Sequence, residues 1–217
     1  MTLSRPLMIS LGLVAATIAV GAWGYLTLPA GATIPINYTG LDGLPHAHMA
    51  KGPGLALIPA VSSIVLISVM ASTSVVLRRR RLEGTAEVRG LLITSLAGLF
   101  LVTEAALVAQ AADPHFDAFR WIFLAAAVLL LVVGNALGKL RHNFVLGVRT
   151  HWTLSDARVW DKTHRLTGRL MVIGALALAA VAGFLPNHAL LIIFLVAAAA
   201  GPMIAGALYS ARIARQG

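Results

Sequence analysis

Six long apolar runs, separated by short polar segments, organise the whole chain: Leu7 to Leu28, Leu55 to Leu77, Gly90 to Ala112, Trp121 to Leu137, Leu170 to Leu185 and Ala189 to Tyr209. A bilayer crossing needs about 20 residues at a rise of about 1.5 Å each. The fourth and fifth runs are short but can extend into flanking helix. Backbone groups in lipid must bond within their own segment, so the runs are read as helices. The pattern predicts an all-α polytopic bundle of six transmembrane helices, a single membrane domain over residues 1–217. Its two long connections are an outer loop at 29–54 and a polar block at 138–169. The first run, with Arg5 before it and Ala30-Gly31-Ala32 after it, has some look of a secretory signal. Its 22 residues exceed the roughly 7–15 of a signal core, so it is read as a membrane helix. Pro59 and Pro202 fall inside predicted helices, and Ala197, Gly201 and Ala205 form a small-residue stripe on the last one.

Composition agrees: 59% of residues are apolar, 12% are charged and the mean hydropathy is +0.86, where a soluble domain carries about 25% charged residues. Charge then sets an expected orientation. Of 17 Lys and Arg, 15 lie on the side that also holds both termini; only Lys51 and Arg120 lie on the other. The positive-inside rule puts that side, with both termini, in the cytoplasm. This asymmetry accounts for the net charge of +9 without direct nucleic-acid binding. The run Arg78 to Arg81 is an orientation signal that can also touch anionic lipid headgroups. With no cysteine in the chain, disulfide and thiolate chemistry are excluded.

The polar segments differ in character. The outer loop is rich in Pro and Gly, and Gly40-Leu41-Asp42-Gly43 is turn chemistry. The block from Gly134 to Leu170 carries Trp152, Trp160 and many Asn, Arg, Thr and His residues. Ser155 followed by Asp156 is expected to cap a helix that runs into the fifth span and aligns Trp160, His164 and Gly168 on one stripe. Asn143 to Leu154 is expected to lie irregularly against the bundle, with Trp152 and Trp160 at headgroup level. Arg149, Lys162 and Arg165, with the Thr150 and Thr163 hydroxyls, have the chemistry of an anion site; such charges also serve simply to fix orientation. Glu104 is the only acid inside a predicted span. It is a functional candidate or a protonated carboxyl bonded to a neighbouring helix, with Asn135 as a candidate partner. His46, His48 and His115, near Met49, Asp113 and Asp117, are candidate metal ligands, although a His-x-His pair is a weak signal. None of the seven histidines lies in a predicted span. That excludes a haem held by two transmembrane histidines, and no cofactor is expected.

The block resembles the SdpI family of bacterial membrane proteins. The residues that carry the likeness are Gly134-Asn135, Lys139, Asn143, Gly147-Val148-Arg149-Thr150, Trp152-Thr153-Leu154, Trp160, Lys162-Thr163-His164-Arg165 and Gly168. The outer loop is similar to a short domain that often opens these proteins, through Leu28-Pro29, Ile34-Pro35, Gly40-Leu41-Asp42-Gly43, Pro45 and Lys51. It departs from that pattern where Asn37 and Tyr38 stand in place of a His, and where His46 replaces an Asp. His142 and His151 replace prolines common in the polar block. The resemblance implies immunity against a secreted peptide toxin met on the outer side, and recruitment of a cytoplasmic transcriptional regulator. It makes Asn135, Lys139, Asn143, Arg149, Thr150, Trp152, Trp160, Lys162, His164 and Arg165 the candidate functional residues inside. On the outer loop the candidate functional residues are Pro35, Tyr38, Asp42, Pro45 and Lys51.

Three function classes follow. The first is an immunity protein or receptor, which is not an enzyme. The second is a membrane enzyme acting on a lipid or headgroup phosphate, for which no paired carboxylates or nucleophile–base pair stand out. The third is a small proton-coupled transporter using Glu104, with few polar residues beyond Ser62, Ser63, Thr103 and Gln110 to line a path.

Overall fold

The computed structural model describes residues 5–37, 45–79, 86–142, 146–185 and 187–215, without the side chains of residues 37, 72–79, 86 and 87. Among them are six helices long and apolar enough to cross a membrane: α1 Arg5–Thr27, α2 Lys51–Arg79, α3 Ala86–Ala112, α4 Ala118–Leu137, α6 Ala157–Phe184 and α7 His188–Ala214. A short α5, His151–Ser155, lies between α4 and α6. The protein is a multi-pass membrane bundle of the predicted class. Its outward-facing surface is apolar, with Trp23, Ile64, Val128, Phe184 and Leu208 all exposed, as suits a molecule whose solvent is hydrocarbon.

The bundle has two halves. Helix α1 packs on α2 and α3, while α6 packs on α4 and α7; among the described helices the halves meet along α3 and α4. Close approach in the second half rests on glycine. A Cβ on Gly168 would stand 2.5 Å from the Gly134 carbonyl oxygen, and one on Gly134 would stand 2.9 Å from that of Gly168. Bare backbone therefore meets bare backbone where α4 crosses α6, as small residues allow in membranes.

Four expectations are corrected. The buried stripe of α7 is Ala198, Pro202, Gly206 and Ser210, one position along from the expected one; Gly201 faces open space. Small residues are so dense there that they could not set the helix phase, which follows Gly206 against the Thr167 hydroxyl and Gly174 against Ala198. The cap of α6 is Asp156, whose carboxylate accepts from the Arg158 amide; the Ser155 hydroxyl instead donates back to the His151 and Trp152 carbonyls and closes α5. Residues 151–155 are thus helical rather than irregular. Finally, α2 begins at Lys51, so Gly52, Pro53 and Gly54 belong to its first turn. Pro at the third helical position needs no intrahelical donor there.

The outer loop also contains strands that the sequence did not announce. Strand β1, Thr33–Asn37, pairs antiparallel with β2, Ala47–Ala50, with Ile34 opposite Met49 and Pro35 opposite His48. Ile34 is fully buried against Leu55, Leu107 and Val108. A Cβ on Gly54 would lie 2.6 Å from Ile34, so the glycine makes the seat that pins this hairpin to the bundle.

Candidate functional site

The polar block folds into a hydrogen-bonded knot on the face opposite the hairpin, where α4 ends and α6 begins. At its centre is Trp160, fully buried rather than at the headgroup level, with its indole N–H donating to the Leu140 carbonyl at 3.0 Å. A buried indole needs such a partner. His164, one turn on, stacks against that indole at 3.9 Å between centroids, and His142 meets the indole edge-on at 5.1 Å. The His164 imidazole is used at both nitrogens. Nδ1 lies 2.9 Å from the Trp160 carbonyl oxygen, and Nε2 accepts from the Val148 amide at 2.9 Å. Since an amide N–H cannot accept, Nε2 carries no proton, and Nδ1 is the donor.

Gly147 makes that contact possible. Its φ of +111° lies in the region side chains avoid. A Cβ there would stand 2.1 Å from His164 Nε2. Glycine is required twice, for the turn and for the approach.

Thr150 and Thr153 close the knot. The Thr153 hydroxyl donates to the Val148 carbonyl at 2.8 Å. The two threonines form a reciprocal capping box at the start of α5. The Thr150 hydroxyl lies 3.0 Å from the Ser210 hydroxyl, tying α5 to α7. A His142 ring nitrogen lies 3.1 Å from the Thr153 carbonyl. These bonds satisfy polar groups that would otherwise be costly where water is scarce.

The candidate residues therefore divide into frame and surface. Trp160, His164 and Thr150 are frame. Lys139, Arg149, Lys162 and Arg165 are exposed, and Trp152 is 37% exposed. The expected anion site is not assembled as one cluster. Thr163 is fully buried, its hydroxyl without a partner among the described residues. Arg165 and Lys162 line different hollows. Arg165 joins Asn135, Gly138 and Arg169 in a groove of about 390 Å³ floored by Gly134 and Gly168, while Lys162 lies beside Arg158 and Ile213. Asn143, Tyr38 and Asp42 fall outside the described residues.

On the hairpin face, Lys51 donates to the Tyr25 and Leu28 carbonyls at 3.0 and 2.9 Å and lies over the Tyr25 ring. Its ammonium thereby closes the end of α1, where the helix dipole favours a cation. Pro35 is buried in β1 and Pro45 is half-buried before β2. His46, His48 and His115 are exposed, and no group of three His, Asp or Glu residues among the described ones is close enough to hold a metal. Asp117 caps α4 and also reaches His188 Nε2 at 3.2 Å, linking α4 to α7. Glu104 is buried, but far from Asn135. It lies near the hairpin end of α3 and faces Gly21 of α1, whereas Asn135 lies exposed at the opposite end of α4. Sequence reasoning passed over Gly147, Thr153, Ser210 and Gly21 as site residues. Glycine at φ > 0 leaves a signal only through its motif, and Ser210 and Gly21 leave none.

Two comparisons bear on this arrangement. Residues 139–206 match the SdpI/YfhL protein family. The chain is also similar to "Immunity protein SdpI" of Bacillus subtilis (strain 168), 23% identical over 164 residues, covering 73% of each chain. Both comparisons point to the SdpI family. The matched segment begins within the knot and runs through α6 into α7, so it takes in the frame residues Gly147, Thr150, Thr153, Trp160 and His164 together. No solved structure matches the chain.

Proposed function

We propose that this protein is an immunity protein of a bacterial cytoplasmic membrane, with both termini and the knot on the cytoplasmic side. It protects its cell from a secreted peptide toxin met at the hairpin face and signals through a cytoplasmic regulator that docks on the knot. The observation that carries the reading is the similarity to Immunity protein SdpI across 73% of both chains. Charge supports the orientation, since 15 of 17 Lys and Arg lie on the knot side. The hydrogen-bonded frame supports docking: Arg149, Lys162 and Arg165 are exposed around it, a preorganised basic surface suited to an acidic protein or a lipid headgroup. The Thr150 and Thr153 hydroxyls and the His164 imidazole are engaged in holding the knot together, which favours a receptor over a catalyst.

The test is survival. A toxin-sensitive strain without its own immunity protein, expressing this chain, is expected to grow in toxin at concentrations that kill the parent. Equal killing of both strains, with the protein present in the membrane, would overturn the reading. Labelling of Cys substituted at Asp117 and at Ser155 checks the orientation: the first is expected to react with an impermeant reagent in intact cells, the second only after lysis.

A further inference from the structure

Glu104 is 1% exposed, and its Oε1 has no hydrogen-bond partner among the described residues. A second acceptor lies beside it. In α2 the Leu55 carbonyl has no i+4 amide donor, because residue 59 is proline. Both atoms converge on Gly21 of α1: a Cβ there would stand 2.8 Å from Glu104 Oε1, 3.0 Å from the Leu55 oxygen and 3.5 Å from Pro59 Cγ. Gly21, Leu55 and Pro59 are at the same time walls of a groove of about 310 Å³ between α1 and α2, completed by Ile18, Ala22 and Tyr25. An unpartnered carboxyl oxygen and a carbonyl without its i+4 amide thus face Gly21, which has no side chain to cover them.

We propose that this groove binds a primary ammonium group on an apolar stem, as in a lysine side chain of a membrane-inserted segment, with the Glu104 carboxylate and the Leu55 carbonyl as its acceptors. An ammonium offers three compact donors and needs no acceptor. A guanidinium spreads five donors over a wider planar fork and leaves more of them unmatched by two acceptors than the three of an ammonium. The stem is required by depth. Glu104 lies eight residues from the end of α3, about 12 Å at 1.5 Å per residue, so a group held at the headgroup level does not reach it. The groove walls are apolar apart from Tyr25, which suits methylenes. This site is independent of the immunity reading and stands or falls separately from it.

The test uses purified full-length protein in phosphatidylcholine nanodiscs, with n-octylammonium as probe and thermal unfolding as readout. A saturable rise in midpoint of several degrees is expected, because a ligand that binds only the folded state stabilises it by mass action. Glu104→Gln is expected to lose the rise, and n-octanol and n-octylguanidinium to give little of it. Should Glu104→Gln fail to fold, Ala22→Leu fills the groove from its exposed wall, leaves the carboxyl in place, and is expected to lose the rise as well. An equal rise in Glu104→Gln, or from octanol, would overturn the site. So would a Glu104-dependent rise produced by adding phosphatidylethanolamine to the disc without any probe, since the ligand would then be a headgroup.

Discussion

The knot and the surroundings of Glu104, one in each half of this bundle, treat buried polarity in opposite ways. Where α4, α6 and α7 meet, polar groups are matched: Trp160 to Leu140, His164 to both Val148 and Trp160, Thr153 to Val148, Thr150 to Ser210. Where α1, α2 and α3 meet, a buried Glu104 oxygen without a partner among the described residues and the Leu55 carbonyl, whose i+4 amide is lost to Pro59, face one glycine. The Thr163 and Thr167 hydroxyls in the first half also have no partner among the described residues, but a threonine on a helix can turn its hydroxyl to the i−4 carbonyl. The Glu104 oxygen, at the tip of a longer side chain, reaches no such partner among the described residues. Matched polarity builds a frame; unmatched polarity is tolerated where something else is to supply the donor. The difference is open to substitution, and the expected effects fall in a clear order.

Gly147→Ala is expected to be the most damaging. It places a Cβ 2.1 Å from His164 Nε2 at a φ of +111°. Backbone strain of roughly 1–3 kcal/mol and overpacking of roughly 1–3 kcal/mol combine at one position. Thermal unfolding in detergent is expected to show a large fall in midpoint, or no folded protein. A wild-type midpoint would mean that the knot is not the rigid element described above.

His164→Phe keeps the stacking on Trp160 but leaves the buried Val148 amide without its acceptor, at about 1–3 kcal/mol. The midpoint is expected to fall, and the Val148 amide to exchange with deuterium faster than in the wild type. His164→Gln, which retains an acceptor, is expected to recover part of both. On the hairpin face, Lys51→Met removes two hydrogen bonds to the end of α1 from a half-exposed position, for about 1 kcal/mol. Loss of protection at the α1 end without a change at the knot would show that the halves respond separately.

How much of this was legible in the sequence follows from what each feature leaves behind. Length and hydropathy leave plain marks, so the six spans were readable. The stripe of Trp160, His164 and Gly168 was readable too, because a helical repeat is local. The hairpin was not: four- and five-residue strands in a Pro- and Gly-rich segment have too little alternation, and Ile34 is held by Gly54 and Leu55, some twenty positions away. The burial of Trp160 was missed because tryptophan near a membrane face suggests an interfacial anchor, and only the Leu140 carbonyl makes the interior affordable. The phase of α7 was missed because a run of alanines looks alike on every face. The acid in α3 was visible, but its neighbour was not; nothing in the sequence joins Gly21 or the proline-freed Leu55 carbonyl to Glu104.

The smallest stability effect, and the one that most sharpens the contrast, is expected at Glu104. In a matched site, removing a polar side chain strands its partner, and the cost is that of an unsatisfied buried group, about 1–3 kcal/mol. Glu104 has no protein donor among the described residues to strand. Glu104→Leu therefore removes an unpaired buried polar group and puts an apolar one of similar size in its place. Replacements of this kind at buried ionic sites are often neutral or stabilising, by about 1–4 kcal/mol. The expected result is a midpoint equal to or above that of the wild type in the absence of ligand, opposite in sign to His164→Phe. The variant tests the comparison directly, because both residues are about 1% exposed and differ in what surrounds them. A fall in midpoint as large as that of His164→Phe would mean that the carboxyl is bonded within the bundle, and the two halves would then handle buried polarity alike.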